Sequence, residues 1–189
     1  MKRLLRDLAE QSFRFSCCLI LQSRIIFPEH LLFVFCPYNI FTCHNMKIAI
    51  INGPNLNLQG HREENVYGNL TFEWLLDQLH HNLPDVEFQY YQSNIEGELI
   101  DKIQTAGTTC DGIIINAGGY SHTSVALHDA LCAVSIPTIE VHISNIFARE
   151  EYRHHSLLTS ACRGMICGLG MQGYILAAEA LLVDLKISE

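Results

Sequence analysis

Lys47-Ile48-Ala49-Ile50-Ile51 passes directly into Asn52-Gly53-Pro54-Asn55, so a short apolar run rich in β-branched residues is stopped by a turn. Gly112-Ile113-Ile114-Ile115 and Pro137-Thr138-Ile139-Glu140-Val141-His142-Ile143 have the same character. None alternates apolar with polar residues, as a strand with one wet face would. Continuous apolar strands need cover on both faces, which a parallel sheet sandwiched between helices provides. Val86 to Tyr91 and Gly164 to Gly168 complete a set of five predicted strands. Helical spacing fills the intervals. Thr71 is a candidate N-cap for a helix with Phe72, Leu75, Leu76 and Leu79 on one face. Residues 95–106 follow, with Ile95, Leu99, Ile100 and Ile103 on one face, then 121–133 and a closing helix over 171–185.

Strands alternating with helices predict an α/β fold, a flavodoxin-like doubly wound sheet of five parallel strands with helices on both faces. Such sheets bind ligands beyond the carboxyl ends of their strands, where the strand order reverses. The polar residues collect there. The first strand leads to Asn52, Asn55, Arg62 and Tyr67; the third to Asn116 and then His122; the fourth carries Glu140 and His142 and leads to Ser144, Arg149 and Arg153.

The chain has 189 residues, 49% apolar and 17% charged, which suits one compact domain and excludes extensive disorder. Five bases against three acids give residues 1–46 a charge of +2, leaving seven against seventeen, or −10, for the rest. So acidic a domain is a poor partner for nucleic acid or an anionic membrane. Residues 1–45 mix apolar runs with Arg, Pro and Cys, and no run approaches the roughly 20 apolar residues that span a bilayer. They are expected to be an extension without a fold of its own, with 46–189 as the folded domain. The eight cysteines include no CxxC pair, so reduced core thiols, no zinc site and a cytoplasmic location are expected.

Two constellations carry chemistry. Glu140 and His142 are two apart on a strand and therefore share a face, where the carboxylate can orient the imidazole as a general acid. Tyr67 follows Arg62 in a loop bounded by Gly60 and Gly68. To serve as a base near neutrality a tyrosine must drop about three pKa units, about 4 kcal/mol. One cation at about 4 Å and an effective dielectric of about 20 supplies that much. Gly168-Leu169-Gly170-Met171-Gln172-Gly173 matches a dinucleotide fingerprint, but the chain ends 16 residues later, so a tight strand-to-helix turn is the better reading. His80-His81 and His154-His155 diverge on regular structure and make poor metal sites.

Asn52-Gly53-Pro54-Asn55-Leu56-Asn57-Leu58, Arg62-Glu63 with Tyr67-Gly68, the block from Asn116 through Ser124, Glu140 through Asn145 and Gly168 through Tyr174 together resemble the motif set of type II 3-dehydroquinate dehydratases. The resemblance runs from about Lys47 to the end of the chain. It implies conversion of 3-dehydroquinate to 3-dehydroshikimate by anti elimination through an enolate, with no metal and no cofactor, in a homododecamer built of trimers. By position it makes Tyr67 the base, Arg62 the residue that lowers its pKa, His142 the acid and Glu140 its orienting partner. Asn55 would hold a water near the C3 oxygen. Asn116, His122, Asp129 and Arg153 fall at substrate-contacting positions, and the Ile143 and Ser144 amides at the substrate carboxylate. Glu64 departs from the family pattern, which has Pro there. Lys47, Lys102 and Lys186 sit away from the predicted crevice, and Lys2 in the extension, which disfavours a Schiff-base route. The alternative is a flavodoxin-like non-catalytic binding domain, although the first turn offers neither an acidic phosphoacceptor nor a phosphate loop.

Overall fold

The computed structural model describes residues 45–59 and 70–187, all within the unit Thr42–Glu189. Arg62, Glu64 and Tyr67, and the expectation for residues 1–45 apart from Asn45, therefore lie outside the described residues. Strands β1 (Met46–Asn52), β2 (Val86–Gln92), β3 (Gly112–Asn116), β4 (Thr138–His142) and β5 (Gly164–Cys167) form one sheet in the order β2-β1-β3-β4-β5. Every pairing is parallel. This is the predicted doubly wound order, which reverses between β1 and β3.

Four helices, α1 (Phe72–Asn82), α2 (Glu96–Thr109), α3 (Val125–Ala133) and α4 (Gln172–Ile187), connect and close the sheet among the described residues. Alternation along the strands sorts the interior into two cores. Ile48, Ile50, Ile114, Ile139 and Val141 pack with Phe72, Leu75, Leu79 and Tyr174 from α1 and α4. Ala49, Ile51, Ile113 and Ile115 pack with Leu99, Ile103, Leu127 and Leu131 from α2 and α3. Glu140 and His142 alternate with Ile139 and Val141, so they point to the α2 and α3 side.

Local signals set several boundaries. Thr71 caps α1 as expected, its hydroxyl accepting from the Trp74 amide at 3.3 Å. The second helix begins at Glu96, after the predicted Ile95, which is 59% exposed; Ser93 Oγ takes the Ile95 amide and stops the chain there. The third begins at Val125 instead of residue 121, because Gly118 has φ +59° and opens a 3-10 turn, Gly118–His122. Ser124 then caps α3 by accepting from the Leu127 amide at 2.9 Å. The cysteines only partly match expectation. Cys110 is buried, Cys162 and Cys167 are half-buried, and Cys132 is exposed because it falls on the outer side of α3.

Two loops meet over the carboxyl ends of β1 and β3. The Gly53 amide donates to the Asn116 carbonyl at 2.8 Å. A Cβ on Gly53 would lie 2.3 Å from the Ala117 carbonyl oxygen, so only glycine fits. The dinucleotide-like glycines instead form the turn from β5 into α4, with Gly168 and Gly170 at φ +85° and +59°.

Candidate active site

β4 delivers the centre of the site. His142 is 6% exposed and Glu140 fully buried, and His142 Nε2 lies 2.9 Å from Glu140 Oε1. A carboxylate can only accept, so Nε2 carries the hydrogen and Nδ1 is the nitrogen left for the crevice. Two hydroxyls complete the carboxylate's shell. Ser156 Oγ donates to Oε1 at 2.6 Å and Thr159 Oγ1 to Oε2 at 2.5 Å. Burial pushes the Glu140 pKa up, but the hydrogen bonds from His142, Ser156 and Thr159 together hold it below the ordinary value.

His142 opens onto a cavity of about 300 Å³ at the carboxyl ends of β1, β3 and β4. His122 stacks against it, the ring centroids 5.8 Å apart and the planes at 22°. His122 Nδ1 donates to the His155 carbonyl at 2.8 Å, which leaves Nε2 free to accept. Burial lowers the His122 pKa; the bond to His155 opposes it, and the charges of His142 and Arg153 add to the lowering. The two stacked rings are thus wired differently, one against a carboxylate and one against a neutral carbonyl.

Cations rim the cavity. Arg149 Nη1 donates to Ser144 Oγ at 3.4 Å, and Arg153 Nε donates to Glu150 Oε2 at 2.8 Å. Glu150 also lies 3.6 Å from Arg149 Nε, so one acid steadies both guanidinium groups. In a domain of net negative charge, this rim together with the amides where β4 ends is where an anionic group would settle. Among the described residues no lysine lines the cavity: Lys47 pairs with Glu87 at the opposite end of β1, and Lys102 lies over the Tyr91 ring.

The first loop is held by polar pins. Asn55 adopts a left-handed conformation, φ 67°, and its amide donates to Asn94 Oδ1 at 2.9 Å. Asn116 Nδ2 donates to the Tyr174 hydroxyl at 2.8 Å, and that hydroxyl donates to Asn52 Oδ1 at 2.9 Å. Burial holds the Tyr174 phenol far above its usual pKa, so it remains a fixed donor. Asn116 Oδ1 in turn accepts from the Gly118 amide at 3.2 Å.

Asn55, Asn116, His122, His142, Ile143, Ser144 and Arg153, all anticipated from sequence, line the one cavity, and Glu140 stands directly behind His142. Asp129 does not join them. It is exposed on α3, 3.2 Å from His128, while Leu127, Ala130 and Leu131 face the core. Sequence reasoning did not single out Ser156, Thr159 or Tyr174 as site residues. The hydroxyls are 16 and 19 residues from Glu140 and reach it through irregular turns, where no periodicity marks them. No group of three His, Cys, Asp or Glu placed to hold a metal occurs among the described residues. Nor is any helix among them long and apolar enough to cross a membrane.

Comparison with known proteins bears on this arrangement. The family model described as Dehydroquinase class II matches residues 46–182. A curated relative from Fusobacterium nucleatum, named 3-dehydroquinate dehydratase, is 53% identical over 142 residues, covering 72% of this chain and 97% of its own length. The crystal structure of a type II dehydroquinase from Butyrivibrio crossotus superposes with a TM-score of 0.70 at 50% identity, over 73% of this chain and 98% of the other. That of the Propionibacterium acnes type II dehydroquinase gives 0.68 at 37% identity, over 74% and 96%.

Proposed function

The chain belongs to the class II dehydroquinase family, and on that premise we propose that it dehydrates 3-dehydroquinate to 3-dehydroshikimate by anti elimination through an enolate. The observation that carries the proposal is the buried Glu140–His142 couple opening onto a cavity rimmed by Arg149 and Arg153. Tyr67, as a phenolate stabilised by Arg62, takes the proton from C2, and the electron pair moves onto the C3 oxygen. A water held by Asn55 stabilises the charge that develops there. The enolate then collapses to form the C1–C2 double bond. The C1 hydroxyl leaves as water with a proton from His142 Nδ1, while Nε2–H stays on Glu140. Exchange with solvent returns the proton from Tyr67 to His142.

The remaining residues position the substrate. The Ile143 and Ser144 amides and the arginine rim suit its carboxylate, and Asn116 and His122 suit its ring hydroxyls. Asp129 is exposed and outside the cavity, so contact with substrate would require that it enter the site of a neighbouring copy. Assembly of the chain as a homododecamer is proposed on the family resemblance alone. The free thiols of Cys110, Cys132, Cys162 and Cys167 support a reducing, cytoplasmic setting. The family match beginning at residue 46 supports 46–189 as the catalytic domain and 1–45 as an extension.

Formation of the conjugated enone from 3-dehydroquinate, followed by absorbance, tests the reaction. Tyr67→Phe is expected to abolish it. Full turnover in that variant would remove Tyr67 as base, and inactivation by borohydride in the presence of substrate would point to an imine instead.

A further inference from the structure

The proposed acid is only as good as the carboxylate behind it. Glu140 is fully buried, and an unpaired carboxylate there would be costly enough to take up a proton. It is also a short side chain able to rotate. If it did either, Nε2 of His142 would lose its fixed acceptor and the ring could present the wrong nitrogen or the wrong charge.

Two hydroxyls prevent both. Ser156 Oγ accepts from the Leu158 amide at 3.2 Å, which directs its own hydrogen to Glu140 Oε1 at 2.6 Å. The alternative acceptor for that hydrogen, the Ser121 carbonyl, is at 3.4 Å. Thr159 Oγ1 is 2.5 Å from Oε2, against 3.7 Å to the Met165 sulfur. Each hydroxyl has one hydrogen, and the shorter contact takes it. Glu140 therefore receives three donors on two oxygens, from β4 and from the turns beyond Arg153. We propose that Ser156 and Thr159 are positioning residues that lock Glu140 as an acceptor-only carboxylate, so that His142 presents a protonated Nδ1 to the cavity. This rests on His142 as the acid of the reaction.

Among the described residues the electrostatic surroundings of Glu140 are few. His142 lies on the same strand, His122 stacks on it from the Gly118–His122 turn, Arg153 stands on the rim, and Cys162 approaches from the segment before β5. The Cys162 thiol is pushed up to about 12, by burial first and the Glu140 charge second, so it stays protonated. Among the described residues, His142 and His122 are then the imidazoles that face Glu140.

Removing a hydroxyl destabilises the carboxylate and makes the couple hold its protons more tightly. In Thr159→Val the alkaline limb of the kcat profile, which a general acid sets, is expected to move up by about one pH unit. Adding Ser156→Ala should move it further, and Thr159→Ser should restore it. A purely structural role would instead scale kcat down equally at every pH. Nitrogen-15 spectra of the histidine rings give a readout independent of turnover: His142 should titrate higher in Thr159→Val, with Nε2 protonated throughout in the parent protein. Unshifted or downward-shifted His142 titration in both Thr159→Val and the double variant would overturn the proposal. Should His142→Ala retain full turnover while that titration still shifts, the role of His142 as acid fails and the hydroxyl clamp stands.

Discussion

β3 and β4 lie side by side, five residues each and buried at every position. β3 fills its interior with Ile113, Ile114 and Ile115. β4 instead carries Glu140, opposite Ile115, and ends on His142. The same burial thus serves opposite ends. In β3 it removes apolar surface from water and supports the fold. In β4 it places a carboxylate and an imidazole out of bulk water, which costs stability unless their polar atoms are satisfied. A parallel sheet covered on both faces can do both, because the site lies where its central strands stop.

The contrast can be broken from either side. His142→Ala should cut kcat by about 10²- to 10⁴-fold, the usual range for a lost general acid, while circular dichroism still reports a folded protein. Ile114→Ala should do the reverse, costing about 2–5 kcal/mol in urea unfolding with kcat of the folded enzyme preserved. Tyr174→Phe stands between them. It strands Asn52 and Asn116 without their shared hydroxyl, so about 1–3 kcal/mol should be lost in the same unfolding assay, with a smaller fall in kcat.

The smallest effect concerns pH. Glu140 has a folded pKa below its ordinary 4.5, where burial is outweighed by its hydrogen bonds. A lowered carboxylate pKa stabilises the fold fully above that ordinary value and loses the effect as pH falls through the folded one. The part of the stability gap between the parent protein and Glu140→Gln that comes from Glu140's own titration should therefore be fully present above 4.5 and narrow as pH falls below it.

What was legible in the sequence follows from what is periodic. The strands declared themselves through unbroken β-branched runs, and the parallel order followed from their apolar continuity. Glu140 and His142 were visible as a pair because strand geometry fixes the spacing of side chains on one face. Residues joined through irregular chain were not. Ser156 and Thr159 reach Glu140 from short 3-10 and bend segments, and Asn94 reaches the Asn55 amide from the end of β2. Ile95 was misplaced because its spacing fits a helix that Ser93 delays by one residue. The start of α3 was misjudged because the left-handed Gly118 diverts the chain first. Asp129 matched by position, yet it projects from the outer side of its helix, a fact set by how α3 docks.

The hydroxyl of Tyr174 reaches back 122 residues to Asn52. It belongs to α4, while Asn52 is at the end of β1. A nascent chain can lay down β1 through β5 and still lack the pin between its first and third loops. The Asn52 and Asn116 side chains, where β1 and β3 end, are therefore tied to each other through that hydroxyl only once α4 has docked on the sheet.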